Sequence, residues 1–303
     1  MSLIKNVDRY FWVLIIIAVA LGLAFPSYII DYERFVIIIL TVIMGLLFLK
    51  VDIIEILSQI KKPSQIVYIS CINLILLPFF SYFIFKFLDS ELLMGFVFLA
   101  ALPAGVSSAV FTDMMKGKTS LNLTIIIVTN LLSAVTIPMI FLFLFNHEAG
   151  IDYLRLIKTI SFIVFVPFVI AKIMKRVIFP RIIHSLQDYF NFIIISLLSV
   201  MIMIIIAGQA DFIKLNIQDH LGKIAMLFLA LFIFQIVSYF SVFWLKKGEK
   251  LAVANSNMIM NNILGIVIAM ECFPREVMYL LILSLIPWNA MIILKHWYKR
   301  FLP

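Results

Sequence analysis

The sequence predicts an all-α polytopic membrane protein with ten transmembrane helices arranged as a 5+5 inverted repeat. Three observations carry that reading. The 303 residues are 64% hydrophobic and 13% charged, with a mean hydropathy of +1.16. A soluble domain is about 45–50% apolar and about 25% charged, so this chain cannot cover itself with polar surface in water. Ten apolar segments approach the roughly 20 residues that span a bilayer: 11–26, 35–50, 66–88, 92–115, 120–145, 153–175, 188–208, 222–245, 250–272 and 277–296. The fourth and ninth of them carry matching interruptions, "ALPAGVSSAV" (101–110) and "AVANSNMIMNNILG" (252–265).

The segments read as helices because backbone polar groups in lipid must be satisfied within the segment. Runs such as "FVIIILTVIMGLLFL" (35–49) lack the alternation of a membrane β-barrel. The first segment follows Lys5 and Arg9 but has no small-x-small cleavage site, so it reads as a helix and not as a signal peptide.

Charge sets the orientation. Lys5, Arg9, Lys50, Lys61, Lys62, Lys116, Lys118, Lys172, Lys175, Arg176, Arg181, Lys246, Lys247, Lys250, Lys295, Lys299 and Arg300 fall at the N-terminus, the even-numbered loops and the C-terminus. These are 17 of the 24 basic residues, against 7 in the other loops. The positive-inside bias places both termini in the cytoplasm. The net charge of +8 therefore marks topology, and with no basic stripe it points to no nucleic-acid partner. The basic segment "MKRVIFPRIIHSLQDYF" (174–190) reads either as an amphipathic surface element or as connecting loop.

Ten helices divide as residues 1–150 (helices 1–5) and 151–303 (helices 6–10). With an odd number in each half, the second half enters the membrane in the opposite sense. Paired interruptions in matching segments of such halves point to a transport site. Pro103 lacks an amide hydrogen, Gly105 tolerates unusual backbone angles, and Ser107 and Ser108 can satisfy freed backbone groups. Non-helical backbone at that depth survives only inside protein or against a watery cavity. A half-helix starting there presents free N–H groups and attracts an anion. The alternative is a proline kink packed by neighbouring helices.

Other chemistry is sparse. Cys71 and Cys272 fall near opposite membrane faces, which argues against a disulfide and leaves too few ligands for a metal. The histidines (147, 184, 220 and 296) lie in or beside loops and read as solvated. No Gly-x-Ser-x-Gly, His-Glu-x-x-His, paired intramembrane Asp or phosphate loop is present, so no enzyme is expected. Neither a selectivity filter nor a ring of charges marks a channel. The expected partners are a small organic anion and the lipid bilayer, with no cofactor and no protein partner.

Four stretches resemble the bile acid:sodium symporter family, which has bacterial members: "PAGVSSAVFTDMMKGKTSLNLT" (103–124), "MNNILGIVIA" (260–269), "IPWNAMI" (286–292) and "NLILLP" (73–78); "TNLLSAVTIP" (129–138) is similar to a segment of the related auxin-efflux and arsenite permeases. The resemblance implies a panel of helices 1, 2, 6 and 7 and a core of helices 3–5 and 8–10. It also implies a substrate held where discontinuous helices 4 and 9 cross, and a prokaryotic cytoplasmic (inner) membrane location. Gly105, Val106, Ser107, Asn261, Asn262, Trp288 and Asn289 then become the substrate-binding candidates. Asn261, Asn262 and Asn289 could equally serve as plain interhelical hydrogen bonds, each worth about 1 kcal/mol or less.

The family's sodium ligands carry over poorly. Ser108 matches; Ala109 stands for an Asn, Asn122 for a Ser and Ile126 for a Thr. The shared Glu aligns with Ser256, or with Asn257 in the neighbouring register, and the two Gln positions read Asn73 and Met260. No carboxylate remains, while a hard cation wants several oxygens with at least one charge. The expected function is a secondary active transporter of a small organic anion working by alternating access, with weak or absent sodium coupling. The alternatives are a sodium-independent channel or facilitator, or a proton-coupled permease of the auxin-efflux type. Asp113 is the candidate proton site, with an ion pair to Lys116 as its plainer role.

Overall fold

The apolar segments become helices, and the two interrupted segments become helix pairs. The structure, a computed structural model, describes residues 7–50, 63–145, 150–178, 180–215 and 217–298. Lys5, Lys61, Lys62, His147, Lys299 and Arg300 lie outside the described residues. In chain order, α1 is Val7–Ala24, α2 Val36–Lys50, α3 Pro63–Phe85, α4 Ser90–Ala101, α5 Ser107–Met114, α6 Thr119–Phe145 and α7 Tyr153–Ile173. Then come α8 Pro180–Gly208, α9 Ala210–Leu215, α10 Ile217–Phe240, α11 Lys247–Met258, α12 Asn262–Cys272 and α13 Arg275–Tyr298. The fourth segment is thus α4 and α5, and the ninth is α11 and α12.

Among the described residues, five helices are long and apolar enough to cross a membrane: Pro26–Leu49, Pro63–Phe85, Thr119–Phe145, Tyr153–Arg176 and His220–Phe240. Shorter apolar helices include Ser90–Ala101 and Asn262–Cys272.

Two local expectations are corrected. The first helix stops at Ala24, because Pro26 begins a separate short helix, Pro26–Ile29. Residues 174–190 are not a connecting loop: a π-helical turn covers Met174–Ile178 and α8 begins at Pro180. Proline suits a first helical position, where its missing N–H would have no partner anyway.

The chain divides into two compact units. One joins residues 1–52 with 161–218; the other joins 53–160 with 219–303. In the first, α8 packs along α1 and α2. A Cβ at Gly22 would lie 2.7 Å from the Met203 carbonyl oxygen, so glycine lets these backbones approach. Phe48 and Phe168 meet edge to face at 5.5 Å.

In the second unit, α3 and α4 form a hairpin locked by stacked Phe85 and Phe96, with centroids 4.1 Å apart. Asp89 caps α4 by accepting from Leu92 N–H at 3.0 Å. Helix α13 packs on α4 and α12, and side-chain-free Gly95 and Gly265 receive Leu280 and Leu102. Phe98, Phe141, Phe145 and Phe273 form one aromatic cluster between these helices.

Candidate functional site

The two interruptions meet. Helix α4 ends when Leu102 turns extended, and α11 ends at Met258 with Ile259 as its C-cap. The two strands of freed backbone then pair antiparallel, Ala104 against Met260. Gly105 N–H donates to Ile259 O, and Asn261 N–H donates to Pro103 O, both at 2.8 Å. This contact explains Gly105: a Cβ there would sit 2.6 Å from Met260 O. The break is therefore a backbone crossing, and the simple proline-kink alternative is set aside.

Helix α6 clamps the crossing. Thr129 Oγ1 accepts from Ala104 N–H at 3.2 Å. Asn130 Nδ2 donates to Ala104 O at 2.8 Å, and Asn130 Oδ1 accepts from Asn261 Nδ2 at 3.0 Å. These two residues satisfy the groups that the break leaves bare, as buried polar backbone requires. Residue-by-residue reading did not single them out, although they open the "TNLLSAVTIP" stretch; a Thr-Asn pair inside a 27-residue apolar helix was the available signal.

The substrate candidates fall in three places. Val106 and Ser107 are half-buried at the start of α5, where the first amides of a helix lack intrahelical acceptors. Gly105 is buried and its N–H already engaged. Asn261 caps α12, its Oδ1 accepting from Leu264 N–H at 3.3 Å. Asn262 Nδ2 donates to Ser284 Oγ at 3.0 Å, while its Oδ1 has no partner. Both asparagines thus make the interhelical bonds of the plainer reading. Asn289 Nδ2 donates back to Leu285 O in its own helix at 2.6 Å, leaving its Oδ1 and Trp288 Nε1 unpartnered.

The degenerate cation positions form two hydrogen-bonded chains. In one, Ser108 Oγ donates to Asn122 Oδ1 at 2.8 Å, and Asn122 Nδ2 donates to Ala252 O at 2.9 Å. Ala109 and Ile126 are buried and apolar. In the other, Asn73 Nδ2 donates to Asn257 Oδ1 at 2.7 Å, and Asn257 Nδ2 donates to Ser238 Oγ at 2.8 Å. Pro78 removes the amide that would close the turn on Leu74, and α3 widens into a π-helical turn, Ile72–Leu76, around Asn73.

Asn257, and not Ser256, faces Asn73; Ser256 Oγ donates to Val253 O at 2.7 Å. Asn122 Oδ1 and Asn257 Oδ1 already accept from Ser108 and Asn73. Asn73 Oδ1 and Asn255 Oδ1 remain unpartnered, and no carboxylate joins them. These residues do not fit a tightly held sodium ion.

Asp113 lies exposed near the end of α5 and accepts from Thr119 Oγ1 at 3.3 Å. The expected Asp113–Lys116 ion pair does not form: Lys116 takes positive φ (59°), so helical i, i+3 spacing is lost. Lys118 instead pairs with Glu249 at 2.8 Å, and its N–H donates to Gly248 O, tying the end of α5 to the start of α11. The Lys118 ammonium holds the Glu249 carboxyl below the usual carboxylate range.

His220 is half-buried against the Tyr279 hydroxyl, not fully solvated. Lys295, expected at a solvated helix end, is fully buried.

Helices long and apolar enough for a bilayer, with two interrupted helices paired at their breaks, define a helical membrane protein of the transporter class. The chain belongs to the sodium bile acid symporter family, whose model matches residues 37–216. That match includes the first interrupted helix and stops before the second. Over 154 residues the chain is 24% identical to the Bacillus subtilis (strain 168) protein named "Uncharacterized sodium-dependent transporter YocS", which covers 49% of this chain and 48% of that protein. The chain spans about half the length of the curated relative it matches.

Proposed function

We propose that the protein is a secondary active carrier of a small organic anion, built as a ten-span inverted repeat and working by alternating access. The observation that carries this reading is the antiparallel pairing of Ala104 with Met260, which holds the start of α5 and the N-cap of α12 at one place. Two helix starts there offer partial positive charge to an anion. The division of the chain supports panel and core roles: residues 1–52 and 161–218 hold helices 1, 2 and 7 and most of helix 6, and the rest holds helices 3–5 and 8–10 with the first turns of helix 6.

Coupling to two sodium ions is not part of the proposal, although the family and the relative are both named for sodium. The neutral Ser108–Asn122 and Asn73–Asn257 chains occupy the aligned positions. The test compares the melting temperature of the protein in sodium and potassium chloride at equal ionic strength, since an ion that binds only the folded state must raise it. Equal values support the proposal, and a sodium-specific rise overturns the uncoupled reading. Asn257→Glu restores a carboxylate beside Asn73 and is expected to create a sodium-specific rise. Saturable uptake of labelled organic anions into proteoliposomes tests carriage itself; flux that never saturates favours a channel. Loss of pH-driven uptake in Asp113→Asn, with substrate binding intact, would move the reading to a proton-coupled permease.

A further inference from the structure

The last helix carries an ionisable group that the reading above does not use. Lys295 is fully buried on α13, and its Nζ has no hydrogen-bond partner among the described residues. An ionisable side chain within a membrane bundle marks function by default, because an unpaired buried charge is costly. Its place on the helix is specific. At about 100° per residue, Ser284, Trp288, Met291 and Lys295 fall within about 60° of one another. Ser284, Met291 and Lys295 are all buried, while Ile286 and Leu294 lie exposed off that arc.

The Ser284–Asn262 hydrogen bond shows where the stripe faces: toward the first residue of α12, beside the crossing. Trp288 Nε1 is a second buried donor without an acceptor, two turns from Lys295, or about 10 Å along the axis. Helical side chains lean toward the N-terminus, which brings Nζ back along the stripe toward Trp288. Two donors, one of them ionisable, thus lie on one arc of α13, and neither has a hydrogen-bond partner among the described residues.

Resting on the carrier reading, we infer that Lys295 and Trp288 form the subsite for the substrate's negative group, and that the substrate is an elongated organic monocarboxylate. The carboxylate meets the Lys295 ammonium and the indole N–H. The apolar body runs along Met291 and the indole toward Asn262. One ammonium balances one negative charge, so a second carboxylate at the far end would be left buried without a partner.

The test uses the full chain in neutral-lipid nanodiscs and three probes of equal length: octanoate, octanamide and the dicarboxylate suberate. Octanoate is expected to raise the melting temperature of the unaltered protein, with octanamide and suberate giving at most a small part of that rise. Lys295→Gln should abolish the octanoate shift, and Lys295→Arg should keep most of it. In proteoliposomes, Lys295→Gln should raise the KM for a labelled monocarboxylate at least tenfold.

Equal shifts from octanoate and octanamide in the unaltered protein overturn the inference without recourse to any variant. So does an octanoate shift that survives intact in Lys295→Gln, and in that case uptake by the same variant leaves the carrier reading standing. Absence of both carboxylate binding and carboxylate uptake in the unaltered protein overturns the inference and the carrier reading together.

Discussion

Among the described residues, Gln209 is the single buried polar side chain in the unit of residues 1–52 and 161–218. The other unit buries Asn73, Asn122, Asn130, Asn255, Asn257 and Asn262, many hydroxyls and Lys295. The first unit is held by close apolar packing of α8 on α1 and α2. The second is held by directional bonds that leave little freedom in how α3, α6, α11 and α12 meet. Packing in lipid supplies association but tolerates exchange of one apolar side chain for another. A hydrogen-bonded crossing of bare backbone tolerates almost none. The contrast separates a scaffold from the part of the chain that carries chemistry.

The sharpest way to break this comparison is at the crossing. Gly105→Ala puts a methyl group into Met260 O and should cost about 3 kcal/mol, with loss of uptake. A melting temperature close to that of the unaltered protein would mean the crossing is not rigid. Next, Asn130→Leu strips partners from Ala104 O and Asn261 Nδ2 and should cost about 2 kcal/mol. The matching change in the other unit, Gln209→Leu, removes an amide whose oxygen has no partner and whose nitrogen bonds only the adjacent Gly208 O, and should cost about 1 kcal/mol or less. Equal effects of the two in chemical denaturation would erase the distinction between the units.

The smallest effect concerns the Lys118–Glu249 tie. Glu249 titrates below the usual carboxylate range when folded because of Lys118. Its contribution is therefore complete at neutral pH and is lost as pH falls through that depressed value. The pair is partly exposed, so solvent screening limits it to about 0.5 kcal/mol. Glu249→Gln should lower the melting temperature slightly at neutral pH, and the difference should shrink as the medium becomes acid enough to protonate the folded carboxyl.

Much of this was legible in the residues. The positions of the helices follow from apolar run length, and both interruptions follow from Pro103, Gly105 and the asparagine cluster. Asn73, Ser108, Asn122 and Asn257 were named from the resemblance and fall in two bonded chains. What was misread turned on side-chain direction. Lys295 looked like one more solvated loop-end cation, and only its buried face on α13 distinguishes it. Asp113 and Lys116 have pairing spacing, yet the positive φ at Lys116 removes the helix on which that spacing depends.

By itself the sequence determined that the chain belongs in a bilayer, where its helices run and where two of them break. Those properties are local: they depend on transfer of apolar side chains and on which residues can donate a backbone hydrogen bond. Only the tertiary structure decided that the two breaks pair with each other, that Thr129 and Asn130 satisfy them, and which of Ser256 and Asn257 turns toward Asn73. Those outcomes depend on contacts between residues from about 25 to more than 180 positions apart, whose geometry no local pattern encodes.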